Sequence, residues 1–549
     1  RFVPGTLRLV PATISKSGGS GLSRVRLGLG GAGAGGVLLG PGDAGVVVID
    51  GGRGAIHGQL GGQLGLGGLA FRLGLLEQLA RHVLASHQLA QASAFAPQLA
   101  GAGAGRGLFG TGGIERGIEL AVVLPATTAE VAAVLRICHE ERVPVVPRGA
   151  GTSLAGGSMP TADAVVVGLA RMNAVLETDL EDRFIRVQAG RTNLSVSGAV
   201  DGAGFFYAPD PSSQLACAIG GNIGMNSGGA HCLKYGVTTN NLLGVTLVTM
   251  QGEVVELGGP MGEAPGLDLL GVVCGSEGQL GIVTEAVLRI LPKPAGARPV
   301  LVGFDASETA GACVAAIIRA GILPVAIEFM DRPCIRATEA FAHAGYPDCE
   351  ALLIVEVEGT PPEIDEQLRL IRDIAEGFDP VEFRESRSED ESRRIWLGRK
   401  SAFGAMGQIN DYMCLDGTIP VSTLPQVLGG IARLSGESGL DVANVFHAGD
   451  GNMHPLILYN ANTPGDLERC EALGAEILKL CVEVGGCLTG EHGVGVEKRE
   501  LMTTQFNAGD MEAQMRVKDV FDPHWLLNAA KVFPLAVSAP RREAIRNAA

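Results

Sequence analysis

Apolar positions change their spacing abruptly near residue 118. Ahead of that point, Gly-Ala tracts such as GLGGAGAGGVLLGPGDAG and GGQLGLGGLA interrupt every periodic run, and only residues 75–91 resemble a helix. Such a composition buries little core, so residues 1–118 are expected to form a Gly-rich segment of poor order. The stretch GPGDAG at 40–45 fits the dinucleotide pattern G-x-G-x-x-G. No strand precedes it, however, and Pro41 and Asp43 stand where a helix would begin, so the match is read as coincidence.

Beyond residue 118 the spacing becomes regular. A strand over 120–124 ends at Pro125, and Thr128 reads as the N-cap of a helix to 141, with Glu130 in its first turn and Val131, Val134, Leu135 and Cys138 at helical spacing. Strands follow over 144–147, 164–169, 243–249, 253–257 and 286–291, with Gln251-Gly252 as the turn between two of them. After Pro294, strands over 300–304, 326–330 and 351–358 alternate with helices over 307–320 and 361–377. That order predicts an antiparallel sheet covered by helices. The run ESRSEDESRR at 385–394 reads as a solvated helix face or loop, and the last part of the chain as a helix stopped at Asp522-Pro523.

Polar chemistry concentrates in a few places. In NVFHAGDGNMHPLILY (444–459), apolar residues flank the turn pair Asp450-Gly451, which puts His447 and His454 on neighbouring strands. Glu491 and His492 lie further on in the Gly-punctuated loop GGCLTGEHGVGVEKREL. Two imidazoles and a carboxylate suit a divalent metal, and the further histidine would be free to act as a base. The loop RGAGTSLAGGS (148–158) combines four glycines with Thr152 and Ser153, which lets backbone N–H groups approach an anion. Without a Lys-Ser/Thr ending it suits the pyrophosphate of a dinucleotide better than ATP turnover. In residues 206–236, Pro209 and Pro211 fix the backbone around Asp210, and paired glycines allow close passage against a flat ligand.

Bulk properties narrow the classes. With 549 residues, two or three domains are expected, and 46% apolar with 19% charged content describes a globular chain with ample core. A net charge of −16 argues against a nucleic-acid partner. Eleven cysteines without a C-x-x-C pair point to a reducing compartment and to no iron–sulfur cluster on this chain. No apolar run is long enough for a transmembrane segment and no signal peptide is read after Arg1, so a cytoplasmic location is expected.

The motifs PRGAGTSLAGG, PDPSS, GGNIGMNSGG, GSEGQLGIVTE, HAGDGNMHP and GEHGVG occur in the order found in FAD-linked oxidases of the vanillyl-alcohol-oxidase type. The chain resembles their D-2-hydroxy-acid dehydrogenase branch from about residue 121 to 534, and IWLGRKSAFGAMGQINDYMCLDGTIP is most similar to the flavin subunits of bacterial glycolate oxidases. The resemblance implies an α+β fold, with a two-part FAD-binding domain of the vanillyl-alcohol-oxidase type and an antiparallel-sheet substrate, or cap, domain. The implied boundaries are 119–293 for FAD binding, 294–500 for the cap with its metal site, and 501–549 for a segment returning to the FAD domain.

Residue by residue, the resemblance implies that Pro147, Arg148, Gly149, Ala150, Gly151, Thr152, Ser153 and Gly157 hold the FAD pyrophosphate. Pro209, Asp210, Ser213, Gly220, Gly221, Asn222, Gly224, Asn226, Ser227, Gly228, Gly281, Ile282 and Val283 would line the rest of the flavin, with Asn528 and Lys531. His447, His454 and Glu491 would bind a divalent metal (Zn, Mn or Fe), His492 would be the base, and Arg399 would hold the substrate carboxylate. Three departures stand out, one being that residues 1–118 lack the acidic, tyrosine-containing entry expected just before the first strand. Ala529 and Ala530 replace the Pro-Gly usual before Lys531, and Cys414 stands where related D-lactate and D-2-hydroxyglutarate enzymes carry a lysine. The activity implied is oxidation of a small 2-hydroxy-acid substrate, glycolate to glyoxylate, with D-lactate as the alternative. A non-redox flavin synthase or a cofactor-less subunit ranks below both. The implied partners are a second flavin-domain-like subunit and an iron–sulfur subunit as electron acceptor, with peripheral placement at the inner membrane through them.

Overall fold

The computed structural model describes residues 121–161, 164–261 and 266–548; ahead of these it gives only the backbone of five short strands between Leu9 and His57. The expectations placed on 40–45, on 75–91 and on the order of residues 1–118 lie outside the described residues.

The first helix among the described residues, Thr128–Glu140, starts as expected, but its cap is Thr127, whose side chain accepts from the Glu130 amide at 3.2 Å. Thr127 and Glu130 have the S/T-x-x-E spacing that fixes a helix start, which overrides the neighbouring Thr128. Strands Ala121–Val123, Val165–Gly168 and Val145–Arg148 run parallel, and Val48–Ile49 extends this sheet beyond Ala121–Val123. A second, antiparallel sheet has the order Val254–Gly258, Leu242–Val248, Ile282–Arg289, Phe184–Gln188, Val175–Asp179. The middle strand begins at Ile282, four residues before the predicted start. It is buried on both faces, so its apolar run carries no alternation to mark the boundary.

These sheets and the helices Thr128–Glu140, Asn193–Val200 and Ile219–Met225 share one apolar core, which Leu526 and Leu527 complete. The tail is stitched to the parallel sheet by Val145 N to Leu526 O at 2.8 Å and Asn528 N to Val145 O at 2.7 Å. The helix before it, Ala508–Phe521, lends Lys518, whose Nζ donates to the carbonyls of Gln279 and Leu527, both at 2.9 Å. Gly190 marks a tight crossing in this half: a Cβ there would lie 2.0 Å from Leu169 O and 2.8 Å from Met172 O. Gly190→Ala is expected to destabilise the protein by about 1–3 kcal/mol through overpacking, measured as a lowered denaturation midpoint; an unchanged midpoint would refute it.

In the second half a nine-stranded sheet runs Glu382–Glu385, Ala297–Phe304, Ala351–Glu358, Ala326–Asp331, Val442–His447, Asn452–Met453, Gly417–Thr418, with Asp411–Cys414 and Pro455–Tyr459 branching from Val442–His447. Its paired strands are antiparallel. Period-2 alternation splits its side chains between two cores. Val300, Val302, Phe329, Leu353 and Val355 pack on one face, among helices Ser307–Arg319, Pro361–Glu376, Leu424–Ser438 and Asp466–Glu483. Leu301, Met330, Leu352 and Ile354 pack on the other, with helices Arg332–Ala342 and Glu389–Met406. The charged run at 385–394 thus opens a helix capped by Ser388, whose later turns are buried. The C-terminal part is broken as well, with Met502–Gln505 ending before Asn507 caps Ala508–Phe521.

The second face of the large sheet turns from apolar to acidic where it meets the first half. Glu356 accepts from Trp396 Nε1 at 2.8 Å and faces His231 Nε2 at 3.2 Å, while Glu358 pairs with Lys234 at 2.8 Å and with the Tyr235 hydroxyl. Burial opposes the charge on His231, and Asp210 together with Glu356 outweighs it, raising its pKa to about 10. No helix among the described residues is long and apolar enough to cross a membrane. All eleven cysteines are unpaired.

Candidate active site

A cavity of about 440 Å³ lies between the two halves. One end is walled by Pro147, Arg148, Gly149, Ala150, Gly151, Thr152, Ser153 and Gly157, and the chain continues around it through Ser213, Gly220, Gly221, Asn222, Gly224, Ser227, Gly281, Ile282, Val283 and Asn528. The strand Val145–Arg148 delivers the Gly-rich loop. Among the described residues none accepts a hydrogen bond from the amides of residues 149–153, and Ser153 Oγ is buried without a partner. A Cβ on Gly221 would meet nothing within 4 Å. Unspent donors around open space fit an anionic dinucleotide such as FAD.

Some residues expected at the flavin lie outside this cavity. Pro209 offers its carbonyl to Asn193 Nδ2 at 3.0 Å within the first half, and Asp210 turns to His231 Nδ1 at 2.7 Å, bracing the histidine that meets Glu356 of the second half. Asn226 ends the helix Ile219–Met225 in a left-handed conformation (φ 52°) and accepts from the Thr239 amide at 2.9 Å. Gly228 makes room for the metal-binding candidate, since a Cβ there would sit 2.7 Å from Glu491 Oε2. Lys531 spends its ammonium on Gly157 O (2.7 Å), Met159 O (2.6 Å) and Asn528 Oδ1 (2.6 Å), clamping the loop from outside the cavity; burial lowers its pKa to about 7. Ala530 just before it adopts φ 63°, a left-handed conformation that glycine takes without strain.

At the other end of the cavity, Arg399, Lys400, Phe403, Tyr412, His447, His454, Glu491 and His492 converge. His447 ends the strand Val442–His447, and the turn through Gly451 (φ 76°) brings His454 back beside it, ring centroids 5.1 Å apart. Glu491 Oε1 lies 3.7 Å from His447 Nε2 and 3.5 Å from His454 Nε2. These three residues offer ligand atoms within 4.8 Å of one another. His454 is 2% exposed, yet neither ring nitrogen has a hydrogen-bond partner among the described residues. A buried imidazole left unpaired fits a metal ligand.

Asp416, His454 and His492 form a second such group, but the donors around Asp416 are already engaged. Its carboxylate accepts from Thr489 Oγ1 (2.5 Å), the amides of Gly490 (2.9 Å), Glu491 (3.1 Å) and His492 (2.9 Å), and Lys498 Nζ (3.2 Å). Burial opposes its charge, and His492, Lys498 and His454 outweigh that, holding it well below the usual carboxylate range. Further along, Glu277 accepts from the amides of Val494 (2.7 Å) and Gly495 (2.8 Å), although burial raises its pKa above the ordinary carboxylate value. The loop bearing Glu491 and His492 is therefore tied by one carboxylate from each half. His492 stacks on His454 with centroids 5.0 Å apart, and burial keeps its imidazole neutral, lowering its pKa to about 4.

Asp416, Glu277 and Glu328 were not singled out by the sequence. Glu328 is fully buried, accepting from Arg399 Nε at 2.7 Å and facing His447 Nδ1 at 2.8 Å. The signal available for it was an acid flanked by apolar residues in the strand AIEFMD.

The sequence matches two families, "FAD binding domain" over residues 120–258 and "FAD linked oxidases, C-terminal domain" over residues 293–532. It is 50% identical over 417 residues to glycolate oxidase subunit GlcD of Escherichia coli (strain K12), covering 76% of this chain and 84% of that protein. D-lactate dehydrogenase of Anaerostipes hadrus is 29% identical over 425 residues, 75% of this chain and 89% of the relative. Among solved structures, p-cresol methylhydroxylase with substrate bound shares the fold at a TM-score of 0.70 and 17% identity, covering 85% of this chain and 98% of that one. With both domain types in order and half the residues shared with a relative along most of its length, the chain belongs to the FAD-linked oxidases, flavoprotein oxidoreductases of the vanillyl-alcohol-oxidase type.

Proposed function

We propose that this chain oxidises glycolate to glyoxylate. The observation that carries the reading is the convergence of Arg399, His447, His454, Glu491 and His492 on the cavity that the Gly-rich loop also walls. FAD, held by the loop residues from Pro147 to Ser153 and by Gly220, Gly221, Asn222, Gly224 and Ser227 along and just beyond the helix Ile219–Met225, would supply, when bound, an acceptor for two electrons. A divalent metal (Zn, Mn or Fe) on His447, His454 and Glu491 supplies Lewis acidity when bound.

The protein's own groups do the rest. Arg399 pairs with the substrate carboxylate through two N–H donors, a geometry that lysine would not reproduce. His492 takes the hydroxyl proton on its neutral imidazole. Phe403 and Tyr412, with centroids 6.5 Å apart, wall this end and limit water around the reacting carbon.

The name of the GlcD relative as a subunit supports a role within a complex. We infer that a second flavin-domain-like subunit and an iron–sulfur subunit carry the electrons onward. D-lactate oxidation is the second reading, supported by the more distant D-lactate dehydrogenase; glycolate ranks first because of the 50% identity against 29%. The test is the visible spectrum of the purified protein under anaerobic conditions. A flavin spectrum that bleaches faster with glycolate than with equal D-lactate is expected. Faster bleaching by D-lactate would favour the second reading, and bleaching by neither would overturn both.

A further inference from the structure

Every residue of the strand Ala326–Asp331 is buried. Alternation sends Ile327 and Phe329 into one core and Met330 into the other, on the face that Glu328 shares. A carboxylate with no exposure on that face persists only where charged or hydrogen-bonding partners compensate its desolvation. Both oxygens are used, and on different elements. Oε1 lies 2.8 Å from Nδ1 of His447, its register partner on the adjacent antiparallel strand. Oε2 accepts from Nε of Arg399 at 2.7 Å and lies 2.6 Å from its Nη2 in an ion pair, Arg399 reaching in from the helix Glu389–Met406.

Two chemical consequences follow from which atoms are spent. A proton on His447 Nδ1, donated to Glu328, leaves the lone pair on Nε2, the atom nearest Glu491. Arg399 is gripped along its Nε/Nη2 edge, so Nη1 and the second Nη2 hydrogen remain for another carboxylate.

We propose that Glu328 is a positioning residue that holds the metal-ligating His447 and the substrate-binding Arg399 in one frame, so that metal affinity and 2-hydroxy-acid affinity both depend on this single carboxylate. The inference rests on the reading of the site given above. It adds that the two binding functions are linked through one side chain, which touches neither metal nor substrate.

The experiment compares wild-type holoenzyme with Glu328→Gln and Glu328→Asp. Zn²⁺ affinity is measured by titrating metal-stripped protein, glycolate KM and kcat at saturating metal, and flavin content by absorbance. Glu328→Gln is expected to weaken Zn²⁺ binding about 10–100-fold, the usual cost of losing such a hydrogen-bond partner. It should raise KM more than it lowers kcat and leave flavin content unchanged. Glu328→Asp keeps the charge that balances Arg399 but withdraws it by one methylene, so it should fold and still bind Zn²⁺ more weakly.

Because the effect on KM runs through Arg399, Glu328→Gln added to Arg399→Gln should cost little further KM. Wild-type Zn²⁺ affinity and KM in both Glu328 variants, or KM effects that simply add in the double variant, would overturn the proposal. If wild-type protein neither binds Zn²⁺ nor bleaches with a 2-hydroxy acid, the reading of the site fails, and Glu328's role with it. A wild type that does both beside indifferent variants sinks the positioning role alone.

Discussion

Replacing His492 with alanine is expected to leave flavin and metal bound and to slow anaerobic bleaching by glycolate about 10²–10⁴-fold, the contribution of a positioned base. The expectation rests on how the ring is held. Its backbone amide is fixed by Asp416 at 2.9 Å and its plane by the stack on His454, while Nδ1 has no partner among the described residues. Among the described residues, removing the ring therefore breaks no side-chain hydrogen bond. Stopped-flow absorbance of the reduced flavin reads the step directly, and wild-type bleaching in the variant would remove His492 from the base role.

Asp416→Asn should produce the largest loss of stability, about 3–5 kcal/mol, as expected when one partner of a buried ion pair is removed. Lys498, fully buried, would lose its counter-charge, and the amides of residues 490–492 would face an NH₂ group in place of an oxygen. The wild-type carboxylate has a folded pKa well below its ordinary value, so its stabilisation is present above about pH 4 and fades only as pH falls through the depressed value. A chemical-denaturation midpoint checks the size. Adding Lys498→Met should recover much of the stability but not the order of the loop, so zinc affinity should stay low in the double variant. An Asp416→Asn midpoint equal to wild type would refute the assignment.

The groups that converge on the cavity were legible because His447, His454, Glu491 and His492 are polar residues in apolar, Gly-punctuated surroundings, and their types suggest their chemistry. The carboxylates that aim them were not. Asp416 meets its partners 73 to 82 positions away, and Glu328 meets Arg399 71 positions away, separations that no local pattern encodes. Glu328 also occupies a position that alternation alone would allow to face water. In the fold, the strand Ala351–Glu358 was readable to the residue, since its length and β-branched content leave little else for it to be. The start at Ile282 was not, because burial on both faces erases the period that marks a boundary. Asp210 and Lys531 sit in recognisable motifs, yet their side chains face away from the cavity, a matter of orientation that motif matching does not carry.

The bridge between Val145 and Leu527 joins positions roughly 380 residues apart in the chain. At about 5–20 residues per second of ribosomal synthesis, some 20 to 80 seconds separate the making of the two. Throughout that interval the edge of the parallel sheet has no neighbour at Val145, and the cavity lacks Asn528 from its wall. The nascent first half is thus a vessel with one side open, and the enclosed cofactor pocket comes into being only when the end of the chain arrives.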